Sequence, residues 1–245
     1  MDDFCENSRR AFMRMVGSAG FGLTLAACLP SNPPTGSEKV FAKTEDGKVK
    51  ADVEEVLPVE DLMREHGVLR RILLVYEASI ARLEANQSLD PAIVSGAAGL
   101  IRRFIEDYHE ALEEQYLFPH FEKAGKFLDL VRTLKEQHEA GRRVTATVLG
   151  LATPASFASA TNRQALALHL RKFIRMYEPH AAREDTVLFP AFRSVITPKQ
   201  YDAYGELFES KEHQLFGPNG FEEIVGQVAE LEKSLGIYEL SQFTP

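Results

Sequence analysis

Apolar side chains recur every third or fourth residue along most of the chain from about residue 59, the spacing that puts them on one face of an α-helix. The stretch VEDLMREHGVLRRILLVYEASIARLEAN shows the pattern clearly, and His66 lies on its apolar face. The apolar positions of this face are Leu62, Leu69, Leu73, Tyr76, Ile80 and Leu83. No window alternates with the period of two that a half-buried strand requires. The pattern therefore predicts an all-α protein.

Breaks in this pattern divide the region into four long helices. Asp90 can cap the second helix, and Pro91 suits its first turn. Pro119 is predicted to end or kink the second helix and Pro190 to stop the fourth, because a proline inside a helix removes a hydrogen bond. The third helix is predicted over residues 126–151. The pattern thus gives four helices in two consecutive pairs.

Two stretches of the chain repeat one motif. HEALEEQYLFPHF (residues 109–121) and HAAREDTVLFPAF (residues 180–192) both read His-x-x-x-Glu, then an acid, two residues and Leu-Phe-Pro-x-Phe. A His-x-x-x-Arg-Arg sequence precedes each motif, starting at His66 and at His138. The chain therefore contains two helical hairpins of one design. Because such a unit cannot bury its apolar face alone, the two hairpins are predicted to pack as an antiparallel four-helix bundle over residues 58–195.

The histidine and the glutamate of each motif lie four residues apart, so they project from one helix face, and that face is apolar. Burying imidazoles and carboxylates in a core costs free energy unless each is paired or bound to a cation. Four imidazoles and two carboxylates suit iron, and zinc or manganese suit them less well. The candidate metal ligands are His66, His109, Glu113, His138, His180 and Glu184.

With this order of residues, H…HxxxE…H…HxxxE, the chain resembles the hemerythrin-like proteins, the histidine–histidine–glutamate cation-binding bundles. The resemblance covers roughly residues 60–192. It implies a non-haem centre of two iron ions, joined by the two carboxylates and a shared oxygen ligand, that binds oxygen, peroxide or nitric oxide. Oxygen-carrying members have a further histidine on the third helix, one turn from the first. In this chain the turns on either side of His138 carry Leu134 and Arg142 instead. The resemblance therefore implies sensing, peroxide or nitric oxide chemistry, or iron handling.

Several alternatives stay open at this point. Asp185 could replace Glu184, because some members of the family use a His-x-x-x-x-Asp spacing. Tyr177, one turn before His180, could hydrogen-bond a metal-bound ligand. A metal-free bundle with structural histidines is the competing interpretation of the site. As an enzyme, the protein would turn over peroxide or a nitrogen oxide; as a binding module, it would sense, store or deliver oxygen or iron.

The first 56 residues have a different character. Residues 8–14, SRRAFMR, match the twin-arginine export consensus, and the apolar run that follows is shorter than the ~20 residues of a membrane span. The run ends in LAAC, which resembles a bacterial lipobox. We therefore expect residues 1–27 to be a signal peptide, Cys28 to be lipidated, and residues 28–57 to form a flexible tether. The protein would then be exported across the inner membrane and anchored on its periplasmic, extracytoplasmic face.

Two further helices are predicted in residues 196–245. Thr197 and Pro198 form a helix-start signal, and GPNG at residues 217–220 separates the two helices. The last helix has an apolar face formed by Phe221, Ile224, Val228, Leu231 and Leu235. This face is expected either to pack across the bundle or to form a homodimer contact.

Composition excludes two classes of protein. The chain carries 28 basic and 36 acidic side chains, a net charge of −8, with no basic stripe that would bind nucleic acid. Its two cysteines, Cys5 and Cys28, cannot build a disulfide scaffold or a zinc-finger type of thiolate site.

Overall fold

A computed structural model describes residues 57–245; the predicted signal peptide, lipidation site and almost all of the tether lie outside the described residues. Within that range every regular element is helical, which confirms the all-α prediction. None of these helices is both long enough and apolar enough to cross a membrane. The long helices are α1 (Pro58–Glu84), α2 (residues 91–124), α3 (Leu128–Leu151), α4 (residues 160–191), α5 (Pro198–Phe216) and α6 (Gly220–Leu235).

Local sequence signals set the starts of these helices. The Asp90 carboxylate accepts a hydrogen bond from the Ala92 backbone N–H at 2.9 Å, as the sequence predicted, and caps α2. Ser159 caps α4, and Thr197 forms a capping box with Gln200 at the start of α5. Each cap satisfies backbone donors that the helix leaves free and is worth about 1 kcal/mol of stability.

Two of the long helices are not α-helical throughout. After its first ten residues α2 widens into π-helical turns at Ile101–His109 and at Glu113–Leu117, and α4 widens at Glu184–Leu188. Each of these three segments starts or ends at a candidate metal ligand. Because π-turns occur mostly at functional sites, their positions single out the same part of the bundle as the repeated motif.

Neither proline ends its helix: α2 continues past Pro119 to Ala124, so of the predicted end or kink only the end is wrong, and α4 continues past Pro190 to Ala191, so the predicted stop at Pro190 is wrong as well. Each proline is the second residue after a π-turn and lies in the first turn of the α-helical segment that restarts there. A proline is tolerated at such a position because its missing N–H would have had no partner within the restarted segment.

Helices α1 to α4 enclose the core. Helix α1 contacts α2 and α4, and α3 contacts the same two helices. The repeated Leu-Phe-Pro-x-Phe motifs meet inside this bundle: Phe121 and Phe192, the last residue of each motif, are buried with their ring centroids 6.0 Å apart. The two halves of the repeat therefore contact each other through equivalent residues.

Helices α5 and α6 pack back against the bundle. Helix α6 contacts α1 and α2, and α5 contacts α1 and α6. On the predicted apolar face of α6, Ile224, Val228 and Leu235 are buried within the chain. Arg71 of α1 fixes this arrangement through two hydrogen bonds to the Glu232 carboxylate. The apolar face of α6 therefore packs against the rest of the same chain. A homodimer contact through these helices stays a prediction.

One close approach inside the bundle depends on a glycine. A Cβ atom added to Gly141 of α3 would lie 2.0 Å from the Tyr177 hydroxyl of α4 and under 3.0 Å from two ring carbons. Only a residue without a side chain therefore lets the buried tyrosine lie at this position. Gly150, near the end of the same helix, has nothing within 4 Å of the equivalent point.

We expect Gly141→Ala to lower the free energy of unfolding by about 1–3 kcal/mol, because it overpacks the core against Tyr177. Gly150→Ala, the control on the same helix, should instead raise it by up to about 1 kcal/mol, because alanine favours helix. Urea denaturation of both variants measures the difference. Equal effects at the two glycines would contradict the packing argument.

Candidate metal centre

Four imidazoles meet at the centre of the bundle, one from each of the first four helices. They form two pairs: the Nε2 atoms of His66 and His109 lie 3.0 Å apart, and those of His138 and His180 lie 3.2 Å apart. All four side chains are at most 3% exposed. Each hairpin therefore supplies one pair, which its two helices hold together.

Two carboxylates lie between these imidazole pairs. The Glu113 Oε2 atom is 3.4 Å from Nε2 of His138 and 3.8 Å from Nε2 of His109. The Glu184 Oε2 atom is 3.1 Å from Nε2 of His180 and 3.4 Å from Nε2 of His66. Each carboxylate thus approaches one imidazole of each pair. The structure brings together all six predicted ligands.

The atoms at this centre fit a metal ion. Two metal–nitrogen bonds of ~2.1 Å that meet at a right angle place their nitrogens about 3.0 Å apart. The Nε2 atoms of each imidazole pair have this separation, so both could bind one ion. The carboxylate oxygens of Glu113 and Glu184 are buried, and their nearest partners are imidazole Nε2 atoms at 3.1–3.8 Å, which do not form hydrogen bonds of good geometry. Buried oxygens without donors are costly, and a cation removes that cost.

Side-chain oxygens fix the other ring nitrogen of each histidine. Nδ1 of His66 donates a hydrogen bond to Asp185 at 2.7 Å, and Nδ1 of His109 donates to Glu65 at 2.7 Å. In the neutral form of each imidazole the proton therefore stays on Nδ1, and the Nε2 lone pair faces the centre. Asp185 therefore contacts Nδ1 of His66, which faces away from the centre, while Glu184 lies beside the Nε2 atoms of His66 and His180.

The second hairpin repeats this arrangement. Nδ1 of His138 donates to Glu114 at 2.8 Å, and Nδ1 of His180 donates to Gln137 at 2.9 Å. Sequence reasoning missed Glu65, Glu114 and Gln137. Their signal was present in the repeat, because an acid or an amide directly precedes the first histidine of each hairpin and an acid directly follows each candidate glutamate.

A hydrogen-bond network lies beside the second imidazole pair. The Tyr177 hydroxyl donates to the buried Glu110 carboxylate at 2.6 Å, and the Tyr177 ring lies 5.3 Å from that of His180. Arg142 binds Glu110 at 3.1 Å and Glu114 at 2.8 Å. Arg142 thus offsets the charge of the buried Glu110 and the partly exposed Glu114 next to the site. The predicted hydrogen bond from Tyr177 to a metal-bound ligand stays a prediction.

The repeated motifs also seal one side of the site. The Phe189 ring stacks on His66 with centroids 5.4 Å apart, and the Phe118 ring stacks on His138 at 5.6 Å. Each phenylalanine therefore covers a histidine of the other hairpin. The π-turns directly before these phenylalanines start at Glu113 and Glu184, so a candidate ligand and an apolar cover occur in one motif.

Burial and mutual charge set the protonation of the site. Burial, together with the charge of Glu184, raises the pKa of Glu113 well above its usual value. Burial also favours neutral Glu184, but positive charge on His180 and His66 outweighs it and lowers the pKa of Glu184. Burial and the neighbouring His66 lower the pKa of His109 well below 6.5. Without a cation, therefore, the site disfavours both a second negative charge and a charged His109.

For His66 and His138, neighbouring acids outweigh burial. Burial alone would lower the pKa of His66, but the hydrogen bond to Asp185 and the charge of Glu184 raise it above 6.5. Burial likewise would lower the pKa of His138, yet Glu110 and the hydrogen bond to Glu114 raise it. The site is rich in negative charge and therefore attracts cations.

An all-helical bundle with paired imidazoles and buried carboxylates at its centre is a histidine–carboxylate cation-binding protein. The sequence model of the hemerythrin HHE cation binding domain matches residues 57–192, and the chain belongs to this family. Membership implies a bound metal, typically iron. Uncharacterized proteins of Mycobacterium tuberculosis and Mycobacterium bovis are 46% identical over 240 residues, which cover 97% of this chain and 91% of each relative. No solved structure matches the chain significantly.

We expect metal removal to destabilise the protein, because it leaves the carboxylates of Glu113 and Glu184 buried with imidazoles as their nearest partners and no cation. At a free ion concentration of about 100 times Kd, binding adds about 2.7 kcal/mol, or roughly 5–10 °C in Tm for a domain of this size. Thermal unfolding with and without a chelator measures the effect. Glu113→Gln should abolish most of the metal-dependent shift, whereas Glu136→Gln, at an exposed position on α3, should keep it. An unchanged shift in Glu113→Gln would contradict the assignment of the ligand.

Proposed function

We propose that the protein holds two non-haem iron ions, one at each imidazole pair, and binds a small ligand such as oxygen, peroxide or nitric oxide there. One observation carries the proposal: Glu113 and Glu184 each lie between the two imidazole pairs, where a bridging carboxylate would be. In this proposal α1 to α4 form an antiparallel four-helix bundle of two equivalent hairpins.

The donor set supports iron over other cations. Each ion would receive two imidazole nitrogens and two carboxylate oxygens, a mixture that suits iron, while zinc or manganese would be weaker candidates. Iron would supply open coordination positions and a change between two oxidation states. The chain's own part is to keep Nε2 of each histidine unprotonated through its Nδ1 hydrogen bond and to exclude bulk water with Phe118 and Phe189.

The burial of the site limits the ligand to small molecules. Its six candidate ligands are at most 3% exposed, so a substrate of several heavy atoms has no open cleft at the ligands. The same burial supports a second candidate function, a module that senses, stores or delivers oxygen or iron without turnover. The residue that family members use for oxygen carriage is replaced here, since Leu134 packs in the core and Arg142 binds acids.

The metal content of the mature chain tests the proposal. We expect close to two irons per chain after purification without oxygen, and a loss of iron in His109→Ala and Glu113→Ala. His169→Ala on α4 is the matched control, because this half-buried histidine lies outside the ligand set, and it should retain the iron. Iron near zero after reconstitution, with helicity intact, would contradict the proposal.

Peroxide consumption separates the two candidate functions. If the protein is an enzyme, the iron-loaded chain should remove hydrogen peroxide in steady state faster than an equal concentration of free iron. A rate no faster than that of free iron would favour the binding module. His138→Ala, which removes a candidate ligand, should abolish any excess rate.

We also propose that the protein is exported and held at the extracytoplasmic face of the membrane by a lipid on Cys28. The twin-arginine motif at residues 8–14 and the LAAC sequence before the tether support this location. Cys28→Ser should release the protein from the membrane fraction, whereas Cys5→Ser should not. Membrane retention of Cys28→Ser would contradict the lipid anchor.

A further inference from the structure

The hydrogen bonds that hold the imidazoles follow the internal repeat, so the two halves can be compared position by position. Within each hairpin, the residue just before the first histidine binds Nδ1 of the second histidine. In the first hairpin Glu65 binds His109, and in the second hairpin Gln137 binds His180. These two contacts are equivalent in position, but they differ in chemistry.

The contacts between the hairpins are matched in chemistry as well. The residue that follows each bridging glutamate binds Nδ1 of the first histidine of the other hairpin: Glu114 binds His138, and Asp185 binds His66. Each of these two carboxylates also pairs with an arginine, Arg142 for Glu114 and Arg70 for Asp185. The between-hairpin contacts thus give both halves the same kind of support.

The difference between the halves therefore lies at one acceptor, a carboxylate on Glu65 and an amide on Gln137. A hydrogen bond to a carboxylate is roughly twice as strong as one to a neutral oxygen, and it makes the opposite ring nitrogen a better metal ligand. The pair His66 and His109 has two carboxylate acceptors. The pair His138 and His180 has one carboxylate and one amide.

A second acid on the Gln137 side does not restore the balance. Glu110 is buried near His138, and Ala181 takes its place in the other half of the repeat. The Glu110 carboxylate, however, is bound by the Tyr177 hydroxyl and by Arg142, which offsets its charge. In the second pair the Nδ1 atoms donate to Glu114 and Gln137, whereas Glu110 is held by Tyr177 and Arg142, so Glu110 does not replace the carboxylate that this pair lacks.

We infer that the two cation positions are unequal, and that Gln137 makes the position at His138 and His180 the weaker and more readily exchanged one. The inference rests on the proposed two-ion centre and adds that its two positions differ in affinity. The ion between His66 and His109 stays bound, and the ion between His138 and His180 is the one that the protein gains or loses as metal supply changes.

Titration of the metal-free full chain with Co²⁺, followed by its visible absorption in competition with a chelator, tests this inference. The unaltered chain should bind two ions in two separate steps. Gln137→Glu should tighten the weaker step about tenfold, and Glu65→Gln should weaken the tighter step by about the same factor, the usual size of such effects. His180→Ala should remove the weaker step and keep the tighter one.

Thr133→Glu is the matched control for the added charge, because it places a carboxylate one turn earlier on the solvent-exposed side of α3. The Co²⁺ affinity of both binding steps should be unchanged in this variant. Two equal steps in the unaltered chain, or a Gln137→Glu variant whose weaker step does not tighten, would overturn the inference and leave the two-ion centre intact. Binding of fewer than two Co²⁺ ions by the unaltered chain would instead contradict the two-ion centre itself.

Discussion

The burial of two carboxylates at the centre of an apolar bundle is the constraint on which the rest of this structure depends. Taking a carboxylate out of water costs several kcal/mol unless opposite charge and hydrogen bonds compensate for it. Among the described residues, Glu113 and Glu184 have imidazoles as their nearest ion-pair partners, and the chain keeps the outer nitrogens of these imidazoles occupied. A cation would complete this arrangement, so stability and metal binding would depend on the same atoms.

The backbone of α2 and α4 serves this constraint. A π-turn starts at Glu113 and at Glu184 and widens the helix just before a proline, so one short segment supplies a candidate ligand and, one turn later, the phenylalanine that covers a histidine of the other hairpin. Such turns cost regular hydrogen bonding, and they are retained where they position functional groups. The repeated Leu-Phe-Pro-x-Phe sequence is therefore part of the site as well as part of the core.

Periodicity and the internal repeat were enough to predict the all-α fold, the approximate helices and the six residues that meet at the centre. The ends of α2 and α4 were mispredicted because a proline normally breaks a helix, and the π-turns that accommodate Pro119 and Pro190 leave no simple pattern in sequence. The acceptors on Nδ1 were missed for a different reason. Glu65 and Glu114 look like ordinary helix-surface acids until the crossing of the helices decides which histidine each one contacts. The role of Arg142 depends in the same way on tertiary packing.

The Nδ1 hydrogen bonds also describe how the centre is assembled. Glu65 and Gln137 each orient a histidine of their own hairpin, so a single folded hairpin already holds one of its two imidazoles. Glu114 and Asp185 reach across to the other hairpin, so the remaining two imidazoles are fixed only when the hairpins dock. A half-folded chain consequently offers an ion an incomplete set of ligands. The complete set of candidate ligands therefore exists only when both hairpins are docked, so an ion bound there would hold the two hairpins together.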